Sequence, residues 1–289
     1  MAKKRKKQTK SIYSGVKSIV LLISGVIGAL SYQHFNSIEH RLETEQVSKS
    51  TSASSCKSHF LNEQEPVIGL PKMASESKLL CYESYAGRAS YISKSNLYSA
   101  EYLTAAKVKQ AKGLDRINSF HEESQLPNGK RAELSDYHRS GFDRGHLAPS
   151  ADMPTAKAQD ESFSLSNMVP QNSEHNRKTW SKVEQTTRKL AQKYNSIYVV
   201  TLPVYQDKNG NLPAKVKAIG DNQVYIPNYM AKAVYIPKLN SSAVYLSPNN
   251  ESGYVKVISL NEFKTLSQID VFPALADDVK SNVVGEWLW

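Results

Sequence analysis

Four consecutive residues, Asp143-Arg144-Gly145-His146, place an acid, a permanent cation and an imidazole in one short segment that then turns apolar. A histidine with an ordinary pKa near ~6.5 is largely neutral at physiological pH and can take a proton from water. The Arg144 guanidinium does not deprotonate, and its planar fork suits two phosphate oxygens. On an extended strand, positions i and i+2 share a face, so Arg144 and His146 could address one substrate group, with Gly145 leaving space on the other side. Alone, the tetrapeptide is equally consistent with a structural histidine. A second segment adds weight: Asn176, Trp180 and Glu184 recur at i, i+4 and i+8, which a helix carries along one side. An amide oxygen and a carboxylate are hard ligands suited to Mg²⁺, directly or through retained water. The alternative is a solvated helix face on which Trp180 anchors to the core and Glu184 pairs with Arg188 four residues on. A base and an oxygen-ligand helix together point to a hydrolytic site.

These groups need elements to hold them. The stretch "NSEHNRKTWSKVEQTTRKLAQKYN", residues 172–195, has neither Pro nor Gly, and Trp180, Val183 and Leu190 fall near helical spacing. It is expected to be one helix. The runs "SIYVVT", "NQVYIP", "AKAVYIP", "SAVYLS" and "YVKVIS" are short, β-branched and aromatic, with turn signals such as "DKNGN" and "SPNN" between them. They read as antiparallel strands. Upstream, "LCYESYAGRASYIS" alternates like a strand and "SAEYLTAAKVKQA" suits a short helix. Ser259-Leu260-Asn261-Glu262 is a capping box opening a helix through Leu266. Strand runs interrupted by helices in this order give an α+β class, a mainly antiparallel sheet flanked by helices. No repeat of solenoid length is apparent.

The chain has 289 residues, 40% hydrophobic and 22% charged, enough to bury a substantial core. Its net charge of +10 suggests a polyanion partner until its location is considered. Seven basic residues, Lys3 to Lys17, lie within the first eighteen positions without an acid; the other 30 bases face 27 acids, a balance of +3. Any phosphate-binding surface must therefore be local. The basic run precedes an apolar stretch, Ile19 to Leu30, an arrangement shared by export signals and short membrane anchors. No small-x-small cleavage pattern follows, so a retained N-terminal hydrophobic helix is expected, basic end in the cytoplasm and body exported; cleavage would make the protein secreted. Residues 1–35 form this segment, the polar 36–55 a linker, and 56–289 the body. The two cysteines, Cys56 and Cys81, are expected to be bridged if the body is exported and reduced if it is cytosolic.

The segments "SGFDRGHLAPSADM" and "FSLSNMVPQNSEHNRKTWSKVE" resemble the DNA/RNA non-specific endonucleases, sugar-non-specific nucleases of the ββα-metal (His-Me finger) class. The spacings from His146 to Asn176 and from Asn176 to Glu184 agree with that pattern, and the likeness extends over roughly residues 80–280 through "SIYVVTLPVY", "IPNYMAKAVY" and "SLNEFKTLSQIDVFPAL". The resemblance implies His146 as general base, Asn176 as direct ligand of a single Mg²⁺ (or Mn²⁺ in its place), and Glu184 as holder of metal-bound water. It implies Arg144 as neutraliser of charge on the phosphate and Asn167 as a residue positioning the base. Arg116 is its best match to an upstream phosphate-binding arginine, with Arg131 and Arg139 in the same stretch as alternatives. Asp143 is expected to buttress the loop. Two positions depart from the family: Leu202 stands where a glycine is frequent, narrowing the groove or repacking a strand, and His175 precedes Asn176.

His175 could add a ligand beside Asn176, but it is expected to be exposed, about 100° around the helix. Contacts to phosphate and sugar position a strand without reading its bases, so DNA and RNA, single or double stranded, are the expected substrates, with strong salt sensitivity. Two other readings stay open. One is a catalytically weak nucleic-acid-binding protein of the same fold at the cell surface; the other is an anchor whose basic tail contacts anionic lipid.

Overall fold

The computed structural model describes residues 56–206, 216–283 and Trp287. Seven strands form one antiparallel sheet: β1 (Ser77–Cys81), β2 (Ala86–Ser90), β3 (Asn96–Thr104), β6 (Ser196–Val204), β7 (Tyr229–Ile236), β8 (Ser241–Pro248) and β9 (Lys256–Ile258). Their spatial order is β9-β8-β7-β6-β3-β2-β1. Two further strands, β4 (Asp143–His146) and β5 (Met168–Gln171), pair as a separate antiparallel ladder, with His146 opposite Met168 and Gly145 opposite Val169. The α+β class is as expected.

Both faces of the main sheet are covered, so its central strands are buried along most of their length instead of alternating between buried and exposed. Strand period still sorts the side chains. Ile197 and Val199 of β6, with Met230 and Val234 of β7, face helices α1 (Ala105–Ala111) and α3 (Ser181–Tyr194). Val200 and Leu202, with Ala231 and Ala233, face the other layer, which includes Phe263 of α4 (Leu260–Ser267). Leu202 is therefore core packing on the face away from α3, and it does not narrow the groove. A seven-residue helix, α2 (Ala156–Ser162), lies between β4 and β5 in the chain.

Several local expectations change. "LCYESYAGRASYIS" is not one strand: it turns after Cys81, where Tyr82 N–H donates to the Tyr85 carbonyl, and returns as β2. "SAEYLTAAKVKQA" is half strand, because Thr104 caps α1 by accepting from Lys107 N–H and everything before it pairs in the sheet. "NQVYIP" supplies only a two-residue strand, Val224–Tyr225, paired with Ala218–Ile219 outside the main sheet. The capping site at Ser259 opens α4 as expected, its hydroxyl accepting from Glu262 N–H.

Cys56 and Cys81 form a disulfide. It closes a loop of 25 residues' separation, which the chain-entropy treatment values at about 3.5 kcal/mol. A double Cys56→Ser, Cys81→Ser variant should lose roughly that much stability in urea unfolding; an unchanged midpoint would show that the cross-link contributes little. The signal or anchor expected in residues 1–35 and the linker in 36–55 lie outside the described residues. Among the described residues no helix is long and apolar enough to cross a membrane.

Candidate active site

The β4–β5 hairpin runs into a helix that does not start as an α-helix. Residues His175–Trp180 form a π turn, and α3 follows directly. In an unbroken α-helix, Glu184 would lie roughly 80° around from Asn176. The wider i→i+5 turn takes up part of that offset. Asn176 and Glu184 open on one cavity, whereas Trp180 between them is buried in the core. The single shared side expected from the spacing is thus divided: Trp180 anchors, and its two neighbours line the cleft.

That cavity, of about 380 Å³, is also lined by Arg116, Arg144 and His146, so the structure brings five of the six expected site residues together. Arg144 and His146 do share a face of β4. The Arg144 guanidinium lies 4.1 Å from the centre of the Phe120 ring, and the His146 ring packs edge-on against Phe163 at 4.9 Å. Phe120 and Phe163 meet at right angles, centroids 4.8 Å apart, and Arg116 lies over Phe163. Two phenylalanines therefore form the cradle that sets the imidazole and both arginines. Phe120 lies in no pattern that marks it in the sequence, and Phe163, which opens "FSLSNMVPQ", carries no sign there of what it supports. Arg116 is steadied further by donating to Asn118 Oδ1 and Ser150 Oγ.

The space behind Gly145 is filled, contrary to expectation. A Cβ there would lie 1.9 Å from Gln171 Oε1, so only glycine fits while Gln171 keeps its place. Gly145→Ala should lower stability by about 1–3 kcal/mol through overpacking and, by displacing β4, reduce turnover further. A native melting temperature and rate for that variant would rule out this tight contact.

Burial, reinforced by Arg116, lowers the His146 pKa to about 3, so the ring is neutral wherever the protein is handled. Its Nε2 is buried without a hydrogen-bond partner. The Asn167 amide directs its hydrogen bonds away from the ring. Fully buried, it donates to the Ala148 and Ser162 carbonyls and accepts from Ala148 N–H and Ser99 Oγ, clamping the backbone two residues past His146.

Asp143 buttresses as expected: it accepts from Asn176 Nδ2 at 2.9 Å, from Ser173 Oγ and from both arms of Arg177. With Nδ2 committed, the Asn176 amide offers Oδ1 as its ligand atom. Glu184 is not paired with Arg188, which bonds Asp152 at 2.9 Å instead. Desolvation raises the Glu184 pKa to about 7 against the opposing pull of Lys232 and Arg188. A half-buried carboxylate in that condition is one that an incoming cation would stabilise. Among the described residues no cluster of three His, Cys, Asp or Glu could enclose a metal ion. One amide oxygen and one carboxylate fit an ion that keeps most of its water, which is the habit of Mg²⁺.

His175 is fully buried and stacked on Trp180, not exposed as the helical angle suggested. The π turn rotates it inward.

A strand pair carrying an imidazole, followed by a helix that turns an amide and a carboxylate to the same cavity, has the arrangement of the ββα-metal fold. The chain belongs to the DNA/RNA non-specific endonuclease family, whose model matches residues 70–278. It is 41% identical over 117 residues to Nuclease C1 of Cunninghamella echinulata var. echinulata, covering 39% of this chain and 46% of that protein. It is 33% identical over 174 residues to the mitochondrial Endonuclease G of Homo sapiens, covering 57% and 56% respectively. The chain spans about half the length of the curated relatives it matches. A solved EndoG/EndoGI complex aligns with a TM-score of 0.66 over 75% of this chain and 97% of that one, at 23% identity, a likeness of fold.

Proposed function

We propose that this chain is a metal-dependent endonuclease that hydrolyses phosphodiester bonds in DNA and RNA. The observation that carries this reading is one cavity shared by a neutral imidazole, two arginines and an amide–carboxylate pair. His146 takes a proton from water as it attacks phosphorus, and the P–O bond opposite breaks. Arg144 and Arg116 bind the non-bridging oxygens and offset the charge that builds there. Asn167 holds the backbone beyond the base. Asn176 Oδ1 would hold a single Mg²⁺, or Mn²⁺ in its place, with Glu184 fixing its water; bound there, the cation would supply Lewis-acid stabilisation of the phosphate.

Phosphate-centred contacts support broad substrate use, since nothing at the cavity requires a particular base. Incubation with plasmid and with RNA should degrade both in Mg²⁺ and neither in EDTA, the rate falling steeply as salt rises. Cleavage of RNA with DNA left intact would refute the breadth of this assignment.

The disulfide supports an oxidising compartment. The basic start and apolar stretch of residues 1–35 support export, with the body (56–289) held at a membrane by that segment through the 36–55 linker, or released if it is cleaved. Several relatives are named as mitochondrial nucleases. The full chain should sediment with membranes while residues 56–289 stay in the supernatant; equal partition would remove the anchor from this picture.

A further inference from the structure

His175 stands one residue before Asn176, fully buried, and the chemistry above leaves it unused. Both of its ring nitrogens are engaged. Gln171 Nε2 lies 2.7 Å from Nδ1, and Ser247 Oγ lies 2.9 Å from Nε2. An amide nitrogen only donates, so Nδ1 accepts; the proton of the neutral ring is then on Nε2 and goes to Ser247. Ser247 in turn donates to the Tyr254 carbonyl at 2.6 Å. The bonds run in one direction, and the imidazole of this residue is satisfied at both ends.

Each end of that chain belongs to a different part of the site. Gln171 closes β5 and packs its side chain against Gly145, between Arg144 and His146. Ser247 belongs to β8 of the main sheet. His175 itself opens the π turn that carries Asn176. A neighbouring tie runs the same way, since Asn249 accepts from Asn172 N–H and donates to the Pro170 carbonyl. A leucine would fill the volume of the ring, but it would leave Gln171 Nε2 without its acceptor and Ser247 without its donor.

We propose that His175 is a positioning residue: by joining Gln171 to Ser247 it sets where the cation-binding helix begins relative to the strand that carries the base. This deepens the reading of the site given above and rests on it. With both ring nitrogens bonded to protein, His175 has none left for substrate or cation, so its effect is on the placement of Asn176 Oδ1.

The test uses the full chain with His175→Leu, Ser247→Ala and the two combined. Mn²⁺ binding is followed directly by the electron spin resonance of the free ion, beside kcat and KM on DNA at saturating metal. His175→Leu should weaken Mn²⁺ binding about tenfold, as loss of an outer support to a ligand does, and lower kcat with KM little changed. Ser247→Ala should move Mn²⁺ binding in the same direction by less. The double variant should be no weaker than His175→Leu, because both changes remove one link. If His175→Leu bound Mn²⁺ and turned over like the wild type while losing only thermal stability, the residue would be core filling and the proposal overturned. Should that variant fail to fold, unchanged Mn²⁺ affinity in Ser247→Ala overturns it equally. A wild-type protein that binds Mn²⁺ but cleaves no nucleic acid would defeat the nuclease reading, and the Mn²⁺ comparison among variants would still read the positioning.

Discussion

His146→Ala should lower kcat by about 10²–10⁴-fold, the range that a positioned general base supplies, while KM for DNA changes little. The reasoning starts from the strand. β4 turns Arg144 and His146 to one side, and the two phenylalanines beneath fix both heads at the same cavity. Arg116 and Arg144 survive the substitution, so the phosphate contacts proposed for them should persist. With its pKa lowered to about 3 by burial, His146 is already in the base form at any pH above about 4, and no acid limb of the rate profile should belong to it. Truncating a ring packed on Phe163 also costs stability, so the melting temperature should be recorded beside the rate. A variant that folds and retains near wild-type turnover would remove His146 from the reaction.

The second large effect concerns the cation. Asn176→Ala and Glu184→Ala should each raise the Mg²⁺ concentration for half-maximal rate by about 10–100-fold, since in the proposed centre each deletes an oxygen that would hold the ion or its water. pH sharpens the test. Glu184 has its pKa raised to about 7 by desolvation, so below pH 7 a proton competes for the carboxylate. Apparent Mg²⁺ affinity should then fall as pH drops through that value, by up to about tenfold per unit, and level off above it. Raising Mg²⁺ should shift the acid limb of activity to lower pH in the wild type and leave Glu184→Gln unaffected. An acid limb that stays in place at every Mg²⁺ concentration would contradict the role given to Glu184.

Much of the site is legible in the sequence because its chemistry is carried by residue type at short range. Asp143 to His146 is one strand, and the spacing of Asn176 and Glu184 is nearly helical, so local periodicity brings them close to where they are found. The sheet is legible for a similar reason, as β-branched runs separated by turn residues have few other stable uses. The remainder depends on tertiary contacts that no period encodes. Phe120 and Phe163 reach His146 from separate segments, and a phenylalanine in a loop carries no mark of what it will support. Arg188 is four residues from Glu184, yet Asp152, brought in from another segment, captures it. An α-helical angle puts His175 at the surface, whereas the π turn has a different pitch, and no residue pattern announces a π turn. "LCYESYAGRASYIS" shows the opposite failure: strand lies on both sides of Tyr82, and the bend between them interrupts the run without Gly or Pro.

The most direct measurement of the proposed centre is a Mn²⁺ anomalous difference map from crystals of His146→Ala soaked with an oligonucleotide. The expected peak lies roughly 2.0–2.2 Å from Asn176 Oδ1, with Glu184 reaching it through water and one scissile phosphate between the ion and the space left by the imidazole. A peak elsewhere in the protein, or a phosphodiester bound away from Asn176, Glu184 and position 146, would contradict the convergence of base and cation on one bond.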